Sequence, residues 1–497
     1  MALSTFPEAL HGVKVYFIGA KGTGMAALAE ILASRGAILA GSDVPDSFYT
    51  DAVLAAIGLV PHQSFDADHI QNDIDMVLYS DAYNASNNPE MARATSLGLP
   101  MFSYAQALGA LSRLSDSSGI AGVHGKTTTT AMAGSILASL GCPATVLAGS
   151  AVASFGGSCT MRAGFTYFVA ETDEYRRHFL HFSPRRILLT SIESDHQDYY
   201  PDYQSIFDAY GEYLDSLPIG GLLIYCADDL GAASAASRLG SLRPDLRFAP
   251  YGTKAEGPWR ILGIKQEEGR SVFKISALDE SLELRMPGAH LVLDAVAALA
   301  LAEDIVRDWK GRAPDAREWA LIKKALADFS GSKRRSEIIG TAKGILFMDD
   351  YAHHPTALAA TIRGIKAFWP SRRLVVDFMS HTYSRTAALL DEFAESLDEA
   401  DCLLLHGIYS SARERPISGI SGQNLYEKVR ARRPGLATGE EKTESFLYYS
   451  EKPMDALDDL LAFLRPGDLF ITMGAGDNWK LGAAALKKLK EEESRDV

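Results

Sequence analysis

Short, almost wholly apolar runs alternate along the chain with longer amphipathic stretches. Val13–Ile18, Met76–Tyr79, Tyr167–Ala170, Ile187–Thr190, Leu222–Tyr225, Ile345–Met348, Leu374–Val376, Leu403–Leu405 and Leu469–Thr472 are examples. Each is too short for a helix and too uniformly apolar for a strand with one wet face, so each reads as a parallel strand covered on both sides. The amphipathic stretches between them supply the covering helices. The pattern predicts α/β architecture with ligands gathered at the carboxyl ends of strands. Gly252–Met286 is less apolar and more alternating, and predicts a small antiparallel addition.

A chain of 497 residues exceeds what one core supports. The polar stretches Ser112–Gly119 and Asp328–Lys333 interrupt the pattern and divide it into domains 1–113, 114–330 and 331–497. The charged tail Lys487–Val497 is expected to fray. A net charge of -14 argues against nucleic acid or an anionic membrane as partner. Phosphates would then be bound by local groups, namely helix N-termini, lysine and magnesium. Cys142, Cys159, Cys226 and Cys402 show no paired spacing, which fits a reducing compartment. Met1–Leu10 lacks a basic segment followed by an apolar run, and no stretch has the length and apolarity of a membrane span. A cytoplasmic chain, monomer or homodimer, is the expectation.

The strongest chemical signal is Gly122-Val123-His124-Gly125-Lys126-Thr127-Thr128, between strand-like Gly119–Ala121 and a predicted helix Thr129–Leu140. Glycines admit phosphate to backbone N–H groups, a helix N-terminus favours negative charge, lysine adds a point charge, and a threonine hydroxyl can ligate magnesium. Full P-loop spacing would place glycine at 120, where Ile120 stands. Two acidic clusters follow predicted strands: Glu171, Asp173 and Glu174, then Glu193, Asp195, His196 and Asp198. Such groups can hold magnesium, although loop acids are more often simply solvated. Near the N-terminus, Gly19, Gly22, Thr23, Gly24 and Met25 follow a strand, with Asp43 about twenty residues on. This spacing admits a nicotinamide cofactor as readily as another diphosphate nucleotide. Arg334 and Arg335 sit at the second boundary and are candidates to clamp a γ-phosphate. Asp349-Asp350-Tyr351-Ala352-His353-His354 follows a strand, as do His381, Tyr383 and Arg385. The paired histidines lack further ligands at local spacing, which argues against structural zinc.

Taken together, GAKGTGM, GVHGKTTTT, ETDE, SDHQDYY, GSKRRSE, DDYAHHPT, SHTYSRT, Ile408–Ser421 and Met473-Gly474-Ala475-Gly476-Asp477 resemble the Mur ligase family, in order and over about 450 residues. The resemblance is nearest to the branch adding L-alanine to UDP-N-acetylmuramate in peptidoglycan synthesis, with a peptide-recycling branch close behind. It implies a Rossmann-like N-terminal domain for the UDP-sugar, a central P-loop ATPase domain with a mainly parallel sheet, and a Rossmann-like C-terminal domain. It implies ATP and Mg2+, with an acyl-phosphate intermediate. The UDP-sugar would lie against Gly19, Gly22, Thr23, Gly24, Met25, Asp43 and Ser80. ATP would contact residues Gly122 to Thr128, His290, Arg334, Arg335 and Asp350. Thr127, Glu171 and His196 would hold metal, and Lys126, His196, His353, Arg385 and Arg335 would serve catalysis, with His381 nearby. The family's paired adenine-contact amides are replaced in His290-Leu291-Val292-Leu293-Asp294. That departure keeps a second reading in play, a diverged nucleotide-binding relative with weak or no ligase activity.

Overall fold

The computed structural model describes residues 5–410, 416–438 and 445–495. Residues 411–415 of the Ile408–Ser421 segment, and the last two of the charged tail, lie outside them. The N-terminal sheet contains β1 (Lys14–Ile18), β2 (Ile38–Ser42), β3 (Met76–Tyr79) and β4 (Met101–Ser103), all parallel in the order β2-β1-β3-β4. Successive side chains of β1 enter different cores, Val15 and Phe17 on one face and Tyr16 and Ile18 on the other. Two-sided burial is what makes the run continuously apolar.

The central sheet contains β5 (Asp116–Ala121), β6 (Ala144–Leu147), β7 (Thr160–Arg162), β8 (Tyr167–Glu171), β9 (Arg186–Leu189), β10 (Leu222–Cys226) and β11 (Arg247–Tyr251). Their order is β11-β10-β9-β5-β8-β6-β7, with β7 antiparallel to β6 and the other pairs parallel. Strand β5 lies between β8 and β9, so both acidic clusters flank the loop leaving β5. The antiparallel addition forms as β12 (Ile261–Glu267), β13 (Arg270–Ile275) and β14 (Leu282–Leu284).

The C-terminal sheet comprises β15 (Glu337–Ala342), β16 (Ile345–Asp350), β17 (Arg373–Phe378), β18 (Cys402–His406), β19 (Ala437–Thr438), β20 (Phe446–Ser450) and β21 (Asp468–Met473). It is ordered β15-β16-β21-β17-β18-β20-β19, with β15 antiparallel to β16. Among the described residues, no helix is long and apolar enough to cross a membrane.

Three local expectations are corrected. Most of Ser112–Gly119 is not a linker, because β5 already starts at Asp116. Ser117 and Ser118 are buried in it, and the Ser117 hydroxyl donates to the Ser112 carbonyl at 2.6 Å. The helix after the glycine loop spans Lys126–Ser139, beginning three residues earlier than predicted. The tail does not fray at Lys487, since the Trp479–Glu493 helix packs Leu486 and Leu489 against the C-terminal core.

Candidate active site

The glycine loop is held from below by the end of β9. Val123 N–H donates to the Ser191 carbonyl (3.2 Å) and His124 N–H to the Ser191 hydroxyl (3.1 Å). Gly125 caps the Lys126–Ser139 helix at φ 80°, where a side chain is strained, and an added Cβ would meet the Asp294 carboxylate at 2.4 Å. The helix therefore presents its first-turn N–H groups beside the loop, as a phosphate requires.

The Lys126 ammonium donates to the Gly122 carbonyl (2.6 Å) and to both oxygens of Glu174 (2.7 and 3.1 Å). Burial alone would raise Glu174, but Lys126 and then His196 hold its carboxyl well below the usual range. Burial likewise works against charged His196, whereas its contacts with Glu174 and Asp195 raise it overall. Asp173, Glu174 and His196 bring ligand atoms within 4.8 Å of one another. Thr127 Oγ1 donates to Glu171 Oε2 at 2.8 Å, so two expected metal ligands are together. His196 lies beside Glu174, its Nε2 3.6 Å from Oε1. Its backbone is left-handed (φ 55°), and its N–H donates to Asp195 (2.7 Å).

The C-terminal domain closes the site. Arg385 donates through Nε (3.1 Å) and Nη2 (2.7 Å) to Asp195 Oδ1, and both side chains are only 6% exposed. Arg334 and Arg335 separate in role. Arg334 is committed to Asp349 (2.9 Å) and the Gly474 carbonyl (2.7 Å), while Arg335 shares with it only the Tyr351 ring, which the two guanidiniums overlie at 5.2 and 5.0 Å. Asp350, the last residue of β16, accepts from the Ser336 and Ala352 N–H groups, both at 2.7 Å. His353 Nδ1–H donates to the Tyr351 carbonyl (2.8 Å), and its ring lies 6.1 Å from that of His381. Burial, with Arg385 adding to it, pushes His353 well below its ordinary value.

Two cavities meet here. One, about 1670 Å³, is bounded by Thr23 and the 46–49 segment of the N-terminal domain, by Glu171, and by the 475–477 turn. The other, about 830 Å³, is bounded by the glycine loop, His196, His290, Asp350, His353 and Arg385. Lys126, Thr127, Asp173, Arg335 and Tyr351 line both.

Around the N-terminal glycines, Ser80 and Tyr83 pack where a Gly19 side chain would be. Thr23 Oγ1 is hydrogen-bonded to the Tyr49 hydroxyl (2.8 Å). The Asp43 carboxylate accepts from the Lys21 (2.6 Å) and Val44 (2.7 Å) N–H groups, so it shapes its own loop. The Met25 side chain is buried in the core beneath the helix. Gly22 caps the Thr23–Ser34 helix, and Gly24 lies against Tyr104.

In the nucleotide-side cavity, burial pushes His290 down to about 4 and Asp294 up to about 7. An aspartate ordinarily near 3.8 and raised by folding contributes a penalty that is absent at low pH and grows as pH rises toward the folded value. Asp294→Asn is therefore expected to stabilise the protein near pH 8 by on the order of 3 kcal/mol, with the gain shrinking toward pH 4. Unfolding midpoints at the two pH values check this; an equal gain at both would refute the assignment.

Glu174 and Asp195 were legible as acidic candidates and Tyr351 as part of its motif, but the partners that define them come from elsewhere in the chain.

Family comparisons agree with this layout. Residues 14–115 match the Mur ligase family catalytic domain, 120–302 the Mur ligase middle domain, and 334–476 the Mur ligase glutamate ligase domain. UDP-N-acetylmuramate–L-alanine ligase of Treponema pallidum (strain Nichols) is 47% identical over 492 residues, covering 99% of this chain and 100% of that protein. The enzyme of the same name from Borreliella burgdorferi is 35% identical, covering 94% and 97%. Among solved structures, UDP-N-acetylmuramate-alanine ligase of Thermotoga maritima superposes with a TM-score of 0.76 at 24% identity, covering 96% and 99%. A murein peptide ligase from Psychrobacter arcticus gives 0.67 at 22% identity, again covering 96% and 99%. These likenesses to solved structures carry the fold, and the matches along the sequence carry the kinship: the chain belongs to the Mur ligase family.

Proposed function

We propose that this protein joins L-alanine to the carboxylate of UDP-N-acetylmuramate at the expense of ATP. The observation that carries the reading is the meeting of two cavities at Lys126, Thr127 and Arg335. A sugar nucleotide entering from the N-terminal domain and a triphosphate on the glycine loop would bring carboxylate and γ-phosphate together there. The named relatives act in the same sense. The domain limits 1–113, 114–330 and 331–497 belong to this reading, as does a cytoplasmic setting.

The donor set fits magnesium: Thr127, Glu171, Asp173 and Glu174 offer hard oxygens at the phosphate end of the loop. Bound magnesium would neutralise phosphate charge. Lys126 and Arg335 would orient the γ-phosphate for attack by the muramyl carboxylate, giving an acyl phosphate and ADP. The alanine amine then attacks the acyl carbon and phosphate leaves. His353 keeps Nδ1–H on the Tyr351 carbonyl, so its Nε2 lone pair is free to accept the amine proton. His290 would flank the base, and Asp350 the ribose. The docked C-terminal domain keeps water from the acyl phosphate.

ADP release is the test, measured with UDP-N-acetylmuramate and L-alanine, glycine, L-serine or a tripeptide with a free N-terminal amine supplied separately. Release is expected to require the sugar nucleotide, magnesium and L-alanine. Turnover with the tripeptide alone would reassign the chain to peptide recycling, and turnover without the sugar nucleotide would refute the reading.

A further inference from the structure

A second set of metal-type ligands lies on the opposite side of the glycine loop from the magnesium candidates. His124 of the loop, Glu193 after β9 and His354 of the C-terminal domain place one ligand atom each within 4.8 Å of the others. His124 Nε2 is 3.6 Å and His354 Nδ1 3.8 Å from Glu193 Oε2, too far for hydrogen bonds. Both ring nitrogens of His354 and Nε2 of His124 are buried without hydrogen-bond partners, and the His354 side chain is only 8% exposed. Buried polar atoms of this kind need a partner.

The geometry points to a zinc-class divalent ion held by His124, Glu193 and His354, tying the C-terminal domain to the central one. Ligands about 2.1 Å from a tetrahedral ion lie about 3.4 Å apart, so each Glu193 pair contracts by a few tenths of an ångström and the two imidazoles close from within 4.8 Å of each other. Two imidazoles and a carboxylate favour zinc over magnesium, which prefers oxygen alone. An outer partner is present too, because Thr356 donates to Glu193 Oε2 at 2.8 Å. The backbone contacts of Val123 and His124 with Ser191 fix the loop from which His124 projects. Three protein ligands leave a fourth position open toward the nucleotide-side cavity, which His124 and His354 both line. The inference is independent of which amino acid the enzyme adds.

Zinc binding to the nucleotide-free full chain, measured by competition with a chromogenic chelator, tests this, with Co2+ absorption reporting tetrahedral geometry. One site is expected, weakened at least about 100-fold in His354→Gln and in Glu193→Gln, and about 10-fold in Thr356→Val. His196→Gln, in the other cluster, should leave it unchanged. Circular dichroism confirms that each variant is folded, and zinc-edge anomalous scattering from soaked crystals of the parent locates the ion whatever the variants do. Unchanged affinity in both folded ligand variants, loss in His196→Gln instead, or an anomalous peak only at Asp173–Glu174–His196 would overturn the site.

Discussion

Exchanging Lys126 for alanine lowers the rate of ADP release by about 10³-fold or more, because phosphoryl transfer rests on positioning and charge neutralisation. Lys126 is the ammonium common to both cavities, held by the Gly122 carbonyl and Glu174. The same exchange strands Glu174, whose side chain is 2% exposed, and removing one partner of a buried pair costs about 3–5 kcal/mol. Rate and stability must therefore be separated. In the parent, the depressed Glu174 carboxyl contributes stability that is present above its unfolded value and lost as pH falls through the folded one. Without Lys126 only His196 opposes burial and the Glu174 carboxyl rises, so the gap in Tm between parent and variant widens from about pH 5 to pH 8. Adding Glu174→Gln to Lys126→Ala should restore Tm and leave the rate low. If the double variant recovers turnover, Lys126 acts through folding alone and its phosphate role is wrong.

The parts of this molecule that were legible beforehand are those whose cause is local. Strands covered on both faces appear as unbroken apolar runs, and the glycine loop announces itself because phosphate, glycine and helix N-terminus are neighbours along the chain. Strand ends were less legible. Ser117, Ser118, Asp349 and Asp350 are polar yet lie in strands, since pairing with neighbouring backbone decides where a strand stops. Met25 followed a glycine motif and so suggested ligand contact, but helical geometry turns its side chain into the core. Arg334 and Arg335 were interchangeable in sequence. Asp349 claims the first, which lines the larger cavity alone, whereas the second lines both. His354 lacked metal partners at local spacing, and the fold brings His124 and Glu193 to it from another domain.

The clearest case of distant partnership is Asp195 with Arg385, separated by 190 residues and joined across the domain interface. Burial would raise Asp195, and Arg385 then holds it far below the carboxylate range, so the pair is charged at working pH. Arg385 starts from a constrained backbone: Thr382 is left-handed (φ 67°) and caps the Tyr383–Ala388 helix that carries the guanidinium. Asp195→Ala and Arg385→Ala should each lower kcat/KM for the amino acid by about 30-fold or more, since an unpaired buried charge costs at least 2 kcal/mol or so. Once one partner is gone, losing the other adds little, so the double variant should nearly match the weaker single one, a coupling of about 2 kcal/mol. Arg385→Lys should not rescue, because a lysine ammonium cannot reproduce the paired Nε and Nη2 contacts to Asp195. Solution scattering without ligand should show the single variants more extended than the parent, as the C-terminal domain loses its tether. Strictly additive losses, with unchanged scattering, would mean that each residue meets substrate on its own and that the pair does not govern closure.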